Sequence, residues 1–131
     1  MTTPDWRWIK QNSVLAIHEE QIAEHGGMAG VRDLPLLESA LARPQNLAVY
    51  GSPDIADLAA SYAFAIARNH PFLDGNKRTA WVVAESFLIK NGYELLSGDR
   101  DSLTTMLSVA EGSISEPEFA AWLRGNLKAS L

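Results

Sequence analysis

The chain has no cysteine. That excludes disulfide staples and thiolate metal sites, and it fits a reducing compartment such as the cytoplasm. No apolar run is long enough to span a bilayer, so no membrane association is expected. Residues 1–8 read MTTPDWRW and lack the charged-then-apolar order of a secretory signal, so a cytoplasmic location is the expectation. An excess of positive charge is missing too: 11 Lys and Arg stand against 16 Asp and Glu, a net charge of −5. A nucleic-acid surface needs the opposite balance, so direct nucleic-acid binding is not expected and any cationic site must be local, aimed at a small anion. Histidine is scarce. His18 and His25 stand seven apart, and the chain lacks a convincing second His cluster, which argues against a metallohydrolase. Both are expected to be surface or half-buried structural residues. Repeats, low-complexity tracts and a composition shift that would mark a second domain are also absent.

What is present suits one domain across residues 1–131: 47% of the residues are hydrophobic, enough for a single core. Residues 1–10, with Trp6 and Trp8, show little periodicity and read as an extended arm packed on the domain. From Gln11 to His25, Val14, Leu15, Ile17 and Ile22 fall on one helical face, and Gly26-Gly27 ends the helix. Asp33 N-caps a short helix through Ala42 with Leu34, Leu37 and Leu41 on one face, which Arg43-Pro44 stops. Residues 44–53 form a break. Asp54 caps a further helix whose Ile55, Leu58, Ala59, Tyr62, Ala63, Ile66 and Ala67 make a clean stripe.

The run from Thr79 to Lys90 is apolar nearly all round and is expected to be a buried central helix, ended by Asn91-Gly92. Tyr93 to Leu96 reads as briefly extended. Asp99 opens a helix with Leu103, Met106, Leu107 and Ala110 inward. Ser115 and Glu118 make a capping box for the last helix, in which Phe119, Trp122, Leu123 and Leu127 follow at helical spacing. About six helices and almost no strand give an all-α bundle.

The chemistry is concentrated in residues 69–80, NHPFLDGNKRTA, between the apolar runs Ala59 to Ala67 and Ala80 to Ala84. Pro71 biases His70 out of the helical region, so the preceding helix should stop near Asn69. Asp74 is the expected N-cap of the next helix, with the first free N–H groups on Gly75, Asn76 and Lys77. A helix N-terminus carries unpaired donors and partial positive charge, which suits phosphate. Gly75 lets a ligand approach the backbone, and Lys77 and Arg78 add a point charge and a planar fork. Asp74 is a hard oxygen ligand for Mg²⁺ that also holds phosphate oxygens. His70 is placed to take a proton from an attacking hydroxyl. Arg68 is either a third phosphate-facing cation or a charge complementing the helix dipole. Phe72 should point inward and anchor the loop. The expected catalytic set is therefore His70, Asp74, Lys77 and Arg78. Arg68, Gly75, Asn76, Lys77 and Arg78 are expected to bind phosphate, with ATP as donor.

This stretch resembles the Fic-domain motif, and its Asn76-Lys77-Arg78-Thr79-Ala80 end is similar to the Doc (death-on-curing) branch, the toxins of bacterial toxin–antitoxin pairs. The resemblance implies a Fic/Doc-like all-α fold. It also implies phosphate transfer from ATP to a protein hydroxyl, elongation factor Tu as target with a block of translation, and a Phd-type antitoxin as partner. Its rivals are AMP transfer, the usual Fic activity, and a non-catalytic module whose groove takes a partner helix. Adenylylating Fic domains usually read Gly-Asn-Gly-Arg-x-x-Arg; here Lys77 replaces the second Gly and Trp81 stands where the second Arg would be. Pro71 and Gly75 are the more Fic-like positions. The inhibitory Ser/Thr-x-x-x-Glu-Gly/Asn element of many Fic proteins is not found, because Leu107 stands four before Glu111-Gly112. Inhibition is therefore expected in trans. The glycine-rich run from Gly26 to Asp33 follows a helix, not a strand, which argues against a dinucleotide fingerprint; the same position in Doc-like proteins is a connector. In Fic-like domains the segment matching 44–53 is a flap that holds the target, and the other reading is a connector whose Tyr50 packs on the core.

Overall fold

The computed structural model describes residues 5–130. They form helices α1 (Gln11–His25), α2 (Leu34–Tyr50), α3 (Ile55–Asn69), α4 (Asn76–Lys90), α5 (Asp99–Glu111) and α6 (Glu116–Gly125). Two short strands, β1 (Tyr93–Leu95) and β2 (Leu127–Ala129), pair antiparallel with Leu95 opposite Leu127. The fold is all-α. Among the described residues no helix is long and apolar enough to cross a membrane.

The core is built around α3. Asp54 caps it, accepting from the Asp57 amide while the Asp57 carboxylate accepts from the Asp54 amide. Of its 15 residues 11 are buried. Ala56, Ala59, Ala60, Ala63 and Ala67 expose nothing, so neighbouring helices pack close against its backbone. α2, α4 and α6 all lie against it. α4 buries Thr79, Ala80, Val83, Ala84, Phe87 and Leu88, while its Trp81–Val82 side stays half-open and Ile89 is exposed. The arm reading holds over residues 5–10; residues 1–4 lie outside the described residues. Ile9 is buried and its amide donates to the Tyr62 hydroxyl at 3.1 Å. Burial pushes the Tyr62 pKa up to about 12. Trp8 stacks on Phe87 with ring centroids 5.7 Å apart.

Local signals misplaced several details. α2 does not stop at Arg43-Pro44 but runs on to Tyr50. An interior proline costs about 3 kcal/mol. Here Pro44 is itself buried, Leu47 and Ala48 beyond it pack on the core, and the tertiary contacts offset that cost. Residues 44–50 are thus helix rather than break, and Tyr50 is 88% exposed rather than packed on the core. Leu34, at the start of α2, is exposed while Leu37 and Leu41 are buried.

On α5 the inward residues are Ser102, Met106 and Val109, whereas Leu103 and Leu107 are exposed along the rim of a cavity. Leu127 leaves the last helix. The Asn126 amide bonds the Leu123 carbonyl and ends α6, and the next residues pair with β1, a distant partner that no local pattern shows.

Candidate active site

α3 ends at Asn69 and His70 follows with φ 50° and ψ 56°, in the left-handed region. Pro71 disfavours the right-handed helical conformation for His70, as expected. A left-handed non-glycine residue is strained by about 1–2 kcal/mol, so the surroundings must hold it. The loop 26–33 does so. Arg32 Nε donates to the His70 carbonyl at 2.7 Å, and its Nη2 donates to the Asn69 carbonyl at 2.9 Å. The amides of Arg32 and Asp33 both donate to the Pro71 carbonyl, and the Leu73 amide donates to Gly30. The expected connector is a bracket for the motif. Arg32 was missing from the sequence-based site. The signal available was a lone cation in a glycine-rich loop, suited to the negative end of a helix.

Phe72 is 1% exposed and anchors the loop as expected. Asn76 closes the loop on itself: its Oδ1 accepts from the Phe72 amide and its Nδ2 donates to the Phe72 carbonyl, both at 2.9 Å. What Asn76 offers an anion is its backbone amide. Asp74 is not the N-cap. Its Oδ2 accepts from the Met28 amide at 2.7 Å, and Gly75, at φ 75°, takes the cap position. Gly75 is favoured by its positive φ, and a Cβ there would also stand a tight 3.1 Å from Ile22 Cδ1, which would have to give way. The Thr79 amide bonds Gly75, so the free amides are those of Asn76, Lys77 and Arg78, one residue later than expected. His18 is not at the surface. It is 3% exposed, beneath the loop, with its Nε2 2.8 Å from the Asp74 carbonyl.

His70, Asp74, Gly75, Asn76, Lys77 and Arg78 all line one cavity of about 670 Å³. Gln21 and His25 edge it from α1, and Trp81, Val82, Leu103, Met106 and Leu107 form an apolar wall. Lys77 and Arg78 are exposed, so their charges reach solvent-borne anions. Arg68 is not brought to this cavity. It lies in a smaller groove with Arg43 and Glu116, its guanidinium over Gly112. Of its two readings, the phosphate-facing one lacks the geometry. No residue of 44–53 lines the cavity either. The arrangement unites a helix N-terminus, two cations, a carboxylate and an imidazole, which is what anchoring a phosphate chain beside a proton acceptor needs.

The Fic/DOC family model matches residues 8–88, the span holding α1, the bracket loop, α3, the motif and most of α4. Toxin Doc of Mycolicibacterium smegmatis (strain ATCC 700084 / mc(2)155) is 51% identical over 73 residues, 53% of this chain and 55% of that protein. Protein kinase doc of Escherichia phage P1 is 34% identical over 119 residues, 90% of this chain and 94% of that protein. The match thus spans about half the length of the first relative and nearly all of the second. With the motif on its helix terminus and a family match over more than half its length, the chain belongs to the Fic/DOC family.

Proposed function

We propose that the chain is the toxin of a bacterial toxin–antitoxin pair, a cytoplasmic protein kinase that moves the γ-phosphate of ATP to a hydroxyl of a protein target. The observation that carries this reading is the convergence of His70, Asp74, Lys77 and Arg78 on one cavity at the start of α4. The target hydroxyl oxygen bonds the γ-phosphorus, the bond from that phosphorus to the β–γ bridging oxygen breaks, and ADP leaves. His70 takes the hydroxyl proton. The amides at 76–78 with Lys77 and Arg78 hold the phosphate chain and offset its charge.

Asp74 would hold Mg²⁺, which neutralises charge on the phosphate oxygens when bound. The donor set fits that ion. Among the described residues no three His, Asp or Glu gather. Asp74 gives one oxygen to Met28 and keeps the other, and Mg²⁺ is typically held by one or two carboxylates plus phosphates and water.

Transfer of phosphate rather than AMP is supported by two cavity residues. Lys77 stands where adenylylating Fic domains have Gly, and Trp81 where they have Arg. Trp81 sits edge-on to Trp122 with centroids 6.3 Å apart, so no guanidinium clamps a distal phosphate there. AMP transfer is the second reading, favoured by Pro71 and Gly75. The Doc resemblance makes elongation factor Tu the proposed target and a Phd-type tail the proposed inhibitor; the name of the phage relative, a protein kinase, agrees with the chemistry.

Mass spectrometry of cell protein incubated with the chain and ATP tests this. One target gaining a phosphate is expected, and a nucleotide adduct or no adduct contradicts it. His70→Ala should lower transfer by about 10²–10⁴-fold with the fold intact, since His70 is exposed.

A further inference from the structure

The reaction above leaves one buried imidazole without a task. His18 sits on α1, four residues before Ile22, and both pack under the Asp74–Gly75 turn. Its ring lies flat on Phe72, centroids 3.8 Å apart and planes 8° from parallel. A carbonyl oxygen only accepts, so the 2.8 Å contact with Asp74 requires a proton on His18 Nε2. Asp74 is therefore held at both ends, its carbonyl by α1 and its carboxylate by the bracket loop through Met28. The peptide that follows is Gly75, whose left-handed conformation turns the chain into the free amides of α4. Rotation of the Asp74–Gly75 peptide would shift the backbone from which both the Asp74 carboxylate and the first of those amides project.

We propose that His18 is a positioning residue for the metal and phosphate site: its Nε2–H fixes the Asp74–Gly75 peptide, and so sets the direction of the Asp74 carboxylate and of the helix terminus beside it. The proposal rests on the assignment of Asp74 to Mg²⁺ and of the α4 terminus to phosphate. His18 touches neither ligand. Groups that orient a metal ligand from behind typically change metal affinity or activity by about 10–100-fold when removed.

Two substitutions separate the donor from the ring. His18→Phe keeps an aromatic ring against Phe72 and removes the N–H. His18→Gln places an amide N–H at similar reach and removes the stack. Each is compared with the unaltered chain for Mg²⁺-dependent binding of ADP by calorimetry, for thermal midpoint, and for KM against kcat in transfer from ATP. His18→Phe is expected to bind Mg·ADP about ten-fold or more weakly, while His18→Gln restores most of the affinity even where its midpoint is lower. Equal affinity in His18→Phe and the unaltered chain overturns the proposal. So does loss that follows the midpoint in both variants, which marks a packing role only. Should His18→Phe not fold, His18→Leu takes its place; failure of both apolar variants beside a folded His18→Gln makes the donor a folding requirement and overturns it as well. An unaltered chain that binds Mg·ADP but transfers no phosphate defeats the kinase reading and leaves the binding comparison decisive. One that binds no Mg·ADP defeats both.

Discussion

Asn76 and Gly75 shape the site more than they touch a ligand. The Asn76 amide gives one donor and one acceptor to the Phe72 backbone, in a setting where it is only 9% exposed. Asn76→Asp turns the donating group into an oxygen facing the Phe72 carbonyl. Leaving buried polar groups unmatched costs about 1–3 kcal/mol, more if charge is involved. A drop in the urea midpoint at pH 7 with loss of Mg·ADP binding is the expected outcome, and an unchanged midpoint would show that the Asn76–Phe72 pair does not hold the loop. At this scale the identities of the motif residues were legible in the sequence, because His70, Asp74, Lys77 and Arg78 sit close together in the chain and their chemistry is local. Their partners were not. His18 and Arg32 reach the motif from 56 and 38 residues away, and nothing in helical periodicity signals a contact of that separation. Arg68 misled for the converse reason: nearness in sequence did not become nearness in space, because α3 ends between it and the loop and turns its side chain toward another groove.

The elements act as a frame with one bracket. The loop between α1 and α2 holds the end of α3 through Arg32, whose two bonds fall on the carbonyl of Asn69, the last residue of the helix, and on that of the left-handed His70. Arg32→Met should leave Lys77, Arg78 and the α4 terminus in place while releasing the backbone that aims the imidazole. Small misplacements of a catalytic group can cost as much as about 10²-fold. The expected result is a fall in kcat of roughly ten- to a hundred-fold, with Mg·ADP binding by calorimetry little changed. An affinity that falls as far as the rate would mean that the bracket supports the phosphate site equally. Element boundaries set by caps were readable: Asp54, Ser115 and Gly26 stand where the sequence places them. Where tertiary packing overrides a local signal the reading failed, as at Pro44 inside α2 and at Leu103 and Leu107, apolar residues that face a cavity instead of the core.

The molecule as a whole is acidic, and its long-range ion pairs tie α6 to α2 and to the start of α3. Arg124 on α6 bonds the Asp54 carboxylate with Nε at 2.6 Å and Nη2 at 3.0 Å, and reaches Asp57 at 3.1 Å. The hydrogen bond from Arg124 is the main reason the Asp54 pKa falls from 3.8 to about 2. A carboxylate depressed in this way stabilises the fold fully above its ordinary pKa and loses that contribution as pH falls through about 2. Both side chains are 48% exposed, so the pair is worth no more than about 0.2–1 kcal/mol. Arg124→Ala should lower the thermal midpoint slightly at pH 6 and converge with the unaltered chain only as the pH falls below about 2; a difference that persists there would assign the loss to packing of the arginine stem. The central claim concerns the phosphate that moves. It is tested most directly by offering the chain and its target ATP labelled at either the α or the γ position. Label is expected on the target from γ-labelled ATP alone, and not with His70→Ala; transfer of the α label to the target would contradict the kinase assignment.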